Sequence, residues 1–474
     1  MMRHGMTARW RTPFLAAVLF IAGTSVVSSQ DASQVASQDA SQDAIPDETA
    51  AFEDALFGDT DGVVDGSAGT GPGGATAAGI ATAGAAGPAS SSRVARTEYL
   101  VGGTVAVRAA VATTTALDGY TANASAAGRL FGKVSLPEAG QLYTSWNVVH
   151  SLFQASAPET LSGASDPYTP DIELAELHYS FDIGKKLFVR LGNQLISWGP
   201  SRVWSPVDFI NLEQEDAFAT VDTRTGKPGL RLHVPFSRAN VFAFADFDNL
   251  VTEVTTPGGS SASMVAGDPL DLVNLGGRVD FTAAAFEFGL TGYGGNGTRF
   301  KAGLDASGRL LGSTIYGEAA LYPAYDELEQ VLRASAGFSR TLGDLKTWTL
   351  AAEAMYNSTG DDLSGLSTTE YLALPSESRR PLYQGMWYGY ASLAAAELVG
   401  PDVGATLSAL VNFSEMSFRL TLSTSFSFPD AVPFSLSLAL AGSTAGGDAV
   451  ERTEFTRFAG NGALSLAAST RLDF

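Results

Sequence analysis

From Arg93 to the last residue the chain alternates apolar and polar side chains in short runs, each about ten residues long, separated by Gly, Pro, Asp and Asn. Between Met416 and Phe428 one parity holds Met416, Phe418, Leu420, Leu422, Thr424, Phe426 and Phe428, and the other holds Ser417, Arg419, Thr421, Ser423, Ser425 and Ser427. Successive side chains of a strand point to opposite faces, so this run predicts a strand with one apolar face and one small, polar face. After Pro429-Asp430-Ala431 the pattern resumes with Val432, Phe434, Leu436, Leu438 and Leu440 against Ser435, Ser437 and Ala439, completing a hairpin. The same division sets Leu230, Leu232, Val234 and Phe236 against Arg231 and His233, and Leu275, Val279 and Phe281 against Arg278 and Asp280. It recurs for Phe286, Phe288 and Leu290 against Glu287, for Phe300, Leu304 and Ala306 against Lys301 and Asp305, and for Leu332, Ala334 and Phe338 against Arg333. The charges keep to the parity of Gly and Ser.

No sustained helical period and no apolar run of roughly 18 residues follows the N-terminus, so spanning helices are excluded. A two-sheet sandwich also alternates, but one built from all of Arg93 to Phe474 would have an unusually large core. A transmembrane barrel instead turns the apolar parity to lipid and the charged parity to a wet lumen, and its closure leaves no backbone group unpaired in hydrocarbon. Counting from Thr97 gives about eighteen strands, within a range of roughly 16–18. Short links such as Gly184-Lys185, Ser237-Arg238, Gly343-Asp344 and Pro429-Asp430 alternate with long ones near Ser156–Asp171, Trp198–Lys227, Leu250–Asp271, Ser358–Pro381 and Gly442–Arg452. All the long links fall at one end, as short periplasmic turns and long outer loops require. The expected fold is therefore all-β, a transmembrane antiparallel barrel over residues 93–474 preceded by a disordered extension.

That extension has two parts. Arg3, Arg9 and Arg11 precede the apolar run Phe14 to Ala22 and the small residues Thr24 to Ser29, which reads as an export signal over 1–29 removed near Ser29. Residues 30–92 form a tether: the Asp-Ala-Ser-Gln near-repeat of Gln30 to Ala44, an acidic stretch to Asp65, and the Gly/Ala/Ser-rich Gly66 to Ser92. Within the acidic stretch Phe52, Leu56 and Phe57 stand at helical spacing, either as a docking turn or as part of a solvated linker. Asp59, Asp61 and Asp65 faintly suggest a calcium loop but lack the later chelating residue.

Composition narrows the function. With 29 Lys+Arg against 50 Asp+Glu, the formal net charge is −21, and loss of the signal removes only cations. No basic surplus exists for nucleic acid. The absence of Cys excludes disulfides, thiolate metal sites and thiol nucleophiles. His150, His178 and His233 lie on separate predicted strands without ligand spacing, and no Gly-x-Ser-x-Gly elbow or phosphate loop occurs, so no metal, cofactor or catalytic residue is expected.

Two segments carry a resemblance. Leu464, Leu466, Ala468, Thr470, Leu472 and Phe474 alternate with Ser465, Ala467, Ser469, Arg471 and Asp473, and the chain stops on Phe. This resembles the terminal strand of bacterial outer-membrane barrels, which implies that Leu466, Leu472 and Phe474 are read by the barrel-assembly machinery. Leu191 to Gly199 with Trp204 to Asn211 is similar to the Gly-x-Gln-x-x-x-Trp-Gly segment, followed by Pro-x-Asp, of several porin-like families. Physically, Gly192 and Gly199 permit close backbone approach, and Trp198 sits where a strand would meet the interfacial belt. The residues after Trp198 fit either an inward constriction loop or an outward one.

The candidate pore-lining residues are Arg108, Arg190, Gln194, Arg231, Arg278, Lys301, Arg333, Arg419 and Arg471, facing Asp280, Glu287, Asp305, Glu318 and Glu353. Opposed charges around a wet bore would set a transverse field; their structural alternative is to pair and stiffen the wall. The expectation is a porin-like, non-enzymatic channel in the bacterial outer membrane, with lipid, the assembly machinery and small hydrophilic solutes as partners. The alternative is a surface-exposed binding or structural barrel, adhesin-like, with a blocked lumen.

Overall fold

The computed structural model describes residues 97–474 except 114–119, 137–139, 158–169, 211–220, 249–251, 256–260, 265–272, 296–297, 326–327, 344–347, 428–432, 444–452 and 456–463. The expected export signal, the tether, the Phe52–Phe57 cluster and the Asp59–Asp65 stretch all lie outside the described residues.

The first three strands are the longest, β1 (Glu98–Thr113), β2 (Tyr120–Leu136) and β3 (Gly140–Ala157), and β4 (Asp171–Ile183) follows. They are followed by β5 (Leu187–Gln194), β6 (Lys227–Phe236), β7 (Ala239–Asp246), and a small separate hairpin of β8 (Thr252–Thr255) and β9 (Ser261–Met264). Then come β10 (Asn274–Ala283), β11 (Phe286–Gly295), β12 (Thr298–Leu310), β13 (Ser313–Tyr322), β14 (Val331–Leu342) and β15 (Trp348–Asn357). After the short helix α1 (Thr368–Ala373) the chain ends with β16 (Trp387–Ala395), β17 (Val403–Asn412), β18 (Ser417–Phe426), β19 (Phe434–Ser443) and β20 (Leu464–Asp473).

All strands outside the small hairpin form one 18-stranded antiparallel sheet in which each pairs with its sequence neighbour and β7 pairs directly with β10. The sheet closes because β20 returns to β1, from Thr104↔Asp473 to Thr113↔Leu464. Phe474 extends that seam: its N–H donates to Gly103 O at 3.0 Å and its carbonyl accepts from Gly103 N at 2.9 Å. The barrel therefore has no edge, the condition for a sheet in hydrocarbon.

The two parities separate as the alternation predicts. Leu275, Leu290 and Leu304 are more than half exposed on the outside, while Ser417, Asn412 and Gln194 are fully buried on the inside. Turns at one end are tight. Gly184 and Lys185 in the three-residue β4–β5 link, and Leu311-Gly312, the two-residue β12–β13 link, all take positive φ, the left-handed geometry that lets a tight link follow strand twist. The opposite end carries the long connections, from Ala157 to Asp171, Gln194 to Lys227, Asn357 to Trp387 and Ser443 to Leu464. Only there is enough chain available to enter the bore.

With the outer parity expected to face lipid, Leu304→Arg in mid-β12 should destabilise the folded barrel by about 2–4 kcal/mol, as charges do near a bilayer midplane. Urea unfolding in liposomes, with Lys301→Arg as the inner-face control, measures the difference.

Candidate functional site

Every sequence-predicted lining residue falls on the inward parity, but their surroundings differ. Arg108, Arg231, Lys301 and Arg471 are half-buried and Glu287 is exposed near the tight-turn end. Arg190, Gln194, Arg278, Asp305, Glu318, Arg333, Glu353 and Arg419 are buried. Arg278 is clasped by its neighbours: Nη1 and Nη2 bond the two oxygens of Asp305 at 2.7 and 2.9 Å, and Nε lies 2.7 Å from Asp280. These three charges stiffen the wall, the structural alternative raised for them.

Glu318 and Glu353 do not face an open bore. The segment after β5 turns into the lumen and lies across the inner wall, where both carboxylates accept its backbone N–H groups. Glu318 takes Ser201 N at 2.7 Å and Val207 N at 3.3 Å. Glu353 takes Arg202 N at 3.0 Å and Trp204 N at 2.9 Å, together with Tyr316 OH at 2.9 Å. A backbone that leaves water must bond somewhere, and two carboxylates with several lone pairs each satisfy a whole turn of irregular chain. Gly199 makes the approach possible: at φ +104° it rests against Glu318, and an added Cβ would fall 2.4 Å from Glu318 Oε1.

The segment is apolar enough to prefer this position. Ile196, Trp198, Val207, Phe209 and Ile210 pack with the wall residues Phe244, Tyr293, Ala320 and Tyr322. Trp198 is thus only 6% exposed inside the barrel, and its expected place in the interfacial belt is corrected. The chain leaves the sheet at Gln194, before Trp198 can reach the outer rim, and burial inside the bore satisfies an indole as well as a headgroup layer does.

A second apolar cluster joins three connections inside the lumen. Val203 and Trp204 from the first meet Leu382 and Tyr383 from the β15–β16 link and Phe455 from the β19–β20 link, over the wall residues Met355, Tyr388, Leu410 and Ala441. Trp204 Nε1 donates to Leu382 O at 3.0 Å. Arg333 carries the same packing, its guanidinium 5.3 Å from the ring centres of both Tyr322 and Tyr383. The β15–β16 link is ordered locally by α1, whose N-cap Ser367 and Glu370 form a reciprocal capping box.

Glu454 ties the third connection to the others. Its Oε1 accepts Leu382 N at 2.5 Å, its Oε2 accepts Tyr388 OH at 2.8 Å and Asn412 Nδ2 at 3.0 Å, and its own N–H donates to Glu415 at 2.7 Å. Burial, and next the charge of Glu415, push the Glu454 carboxyl up to about 7. An acid whose docked value is raised above its ordinary 4.5 favours docking fully below that ordinary value. The contribution is lost as pH rises toward 7. Current noise in lipid bilayers is therefore expected to increase between pH 4.5 and 7 and then level off, with Glu454→Gln removing the dependence.

On the opposite wall the returning chain is held by groups that the alternation did not single out. Arg129 lies 2.7 Å from Glu176 and 3.7 Å from Asp222, and Arg224 lies 2.8 Å from Asp222. Burial raises the Asp222 carboxyl, but the hydrogen bond and charge of Arg224 and the charge of Arg129 outweigh it and leave it below its ordinary value. Asn147 Nδ2 donates to Thr223 O at 2.7 Å, and Gly226 N to Ala175 O at 2.8 Å. The described lumenal residues thus pack over β7, β11, β13, β15–β17 and β19, and the returning chain is held against β2–β4.

No family model matches the chain, and no curated protein matches it. Among solved structures it is similar to a BenF-like porin from Pseudomonas fluorescens Pf-5, with a TM-score of 0.50 and 8% identity over 80% of this chain and 98% of that one. It is also similar to OccK2 (OpdF) of Pseudomonas aeruginosa in complex with glucuronate (TM-score 0.48, 10% identity, 80% and 96% covered). A third is the outer membrane protein opdK of the same organism (TM-score 0.46, 10% identity, 79% and 99% covered). The likeness to the first is one of fold alone: the chain shares its closed-barrel architecture.

Proposed function

We propose that this chain is a passive outer-membrane channel for small hydrophilic solutes. The observation that carries the reading is a closed barrel, apolar outside and ionic inside, whose bore is narrowed by the segment after Gln194. Glu318, Glu353 and Glu454 are taken up by loop backbone and Asp305 by Arg278. In this reading the half-buried Arg108, Arg231 and Lys301 and the exposed Glu287, all on the inner parity, set the charge preference of the bore.

In this reading residues 1–29 direct export, residues 30–92 tether the barrel on the periplasmic side, and Leu466, Leu472 and Phe474 serve assembly into the bacterial outer membrane. No covalent step is involved. Planar-bilayer recording tests the proposal: discrete conductance steps are expected. A folded barrel that passes no ions overturns it in favour of a blocked surface barrel. Deleting 30–92 separates a tether, which leaves conductance unchanged, from a plug, whose loss raises it.

A further inference from the structure

Arg202 stands at mid-depth in the barrel on a fixed piece of chain. Its N–H donates at 3.0 Å to Glu353, midway along β15. Ser201 before it donates its N–H to Glu318 at 2.7 Å, and the Ser201 hydroxyl lies 2.8 Å from that of Ser335. Two consecutive residues are thus pinned to the inner wall. From Val203 to Ile210 every residue is buried, whereas Arg202 is exposed. With the wall behind its backbone, an exposed side chain at this depth reaches only the lumen, and its charge acts on the phenol of Tyr316 beside it. The other charged residue between Leu195 and Ile210 is Asp208, which is fully buried, so Arg202 is the charge that this stretch presents to the bore.

We propose that Arg202 is a specificity-determining residue of the channel, its guanidinium raising the share of current carried by anions where the lumenal segment narrows the bore. The role presupposes that the chain is a channel, and it adds to the wall charges one that the segment itself carries. A fixed charge acts over about 10 Å in 0.1 M salt, so one held inside the narrowed bore meets the ions that pass, whereas one at the mouth is screened from them. The alternation along the strands gives no sign of Arg202, because it lies on a connection. Since the local anchors are backbone N–H groups, every residue but Pro can stand at 202 and keep the bond to Glu353. The side-chain charge can therefore be changed there without unfastening the segment.

The chain contains no Cys, so Arg202→Cys carries a single thiol that can be given either sign in the folded protein. A cationic or an anionic methanethiosulfonate is applied to the purified full chain, modification is confirmed by mass, and the reversal potential is read in a planar bilayer across a KCl gradient. Near 0.1 M salt the anionic label is expected to raise the potassium-to-chloride permeability ratio about threefold or more above that of the cationic label. The difference should shrink near 1 M salt, where the screening length falls to about 3 Å. Arg202→Lys should keep the native ratio, and Arg202→Gln should raise it by less than the anionic label does. Arg238→Cys, in the exposed β6–β7 link, is the control and should show a smaller difference between the labels. Equal ratios with the two labels, a thiol that the reagents reach only after unfolding, or an Arg202→Gln channel of native ratio overturns the role of Arg202 and leaves the channel standing. A native chain that passes no ions overturns the channel itself, and this role with it.

Discussion

Replacing Glu353 by Ala is expected to unfasten the lumenal segment while leaving the barrel wall closed. The carboxylate accepts the N–H groups of Arg202, Val203 and Trp204 and the hydroxyl of Tyr316, the first part-buried and the other three buried. Removing it strands several donors at once, and each stranded donor costs about 1–3 kcal/mol, so docking of the segment weakens by about 3 kcal/mol or more. Hydrogen exchange at residues 201–207 should then accelerate roughly 100-fold, and single-channel conductance should rise because the bore is less narrowed. Glu353→Gln keeps an acceptor oxygen and is expected to fall between. Unchanged exchange in Glu353→Ala would mean that the apolar contacts alone hold the segment.

Those apolar contacts carry the second large effect. Trp204 is fully buried against Tyr388, with ring centres 5.8 Å apart, and its indole N–H reaches the β15–β16 link. Trp204→Ala is expected to weaken docking of the lumenal connections by about 3–5 kcal/mol, the range for deleting a buried large aromatic side chain. Because Trp204 belongs to the cluster shared by three connections, the change should spread: trypsin cleavage after Arg379 should quicken although that residue is far from Trp204 in sequence. Trp204 N also bonds Glu353, so the double variant should weaken docking by less than the sum of the single changes. Cleavage at the native rate would show that the links dock independently.

The wall was readable in the sequence wherever strands are regular. In β10, β12, β18 and β20 each polar residue lies where the alternation puts it, because one face must be apolar throughout in lipid. Reading failed where the period breaks. In β4 an extra residue, Ala175, is inserted opposite Ser145 and Trp146, so Glu173 and Glu176 share a face despite opposite parity. Arg129 was hidden for a different reason: β2 is so rich in Ala and Gly that its faces are hard to tell apart by composition. The lumenal core was not legible at all. Trp198, Trp204, Leu382 and Phe455 come from three connections, and no one-dimensional period marks residues that meet only across a bore. The signal available was chemical, since so many large apolar residues in outer links need somewhere dry to go.

The central claim is that one parity of the sheet touches lipid and the other encloses the lumen. The chain contains no Cys, so spin labels placed one at a time by substitutions such as Arg419→Cys and Leu420→Cys along β18 report that environment directly in liposomes. Collision with lipid-soluble oxygen is predicted to be high at 418, 420, 422, 424 and 426 and low at 417, 419, 421, 423 and 425. Equal oxygen access on the two parities, or high access at 417, 419, 421, 423 and 425, would contradict the account.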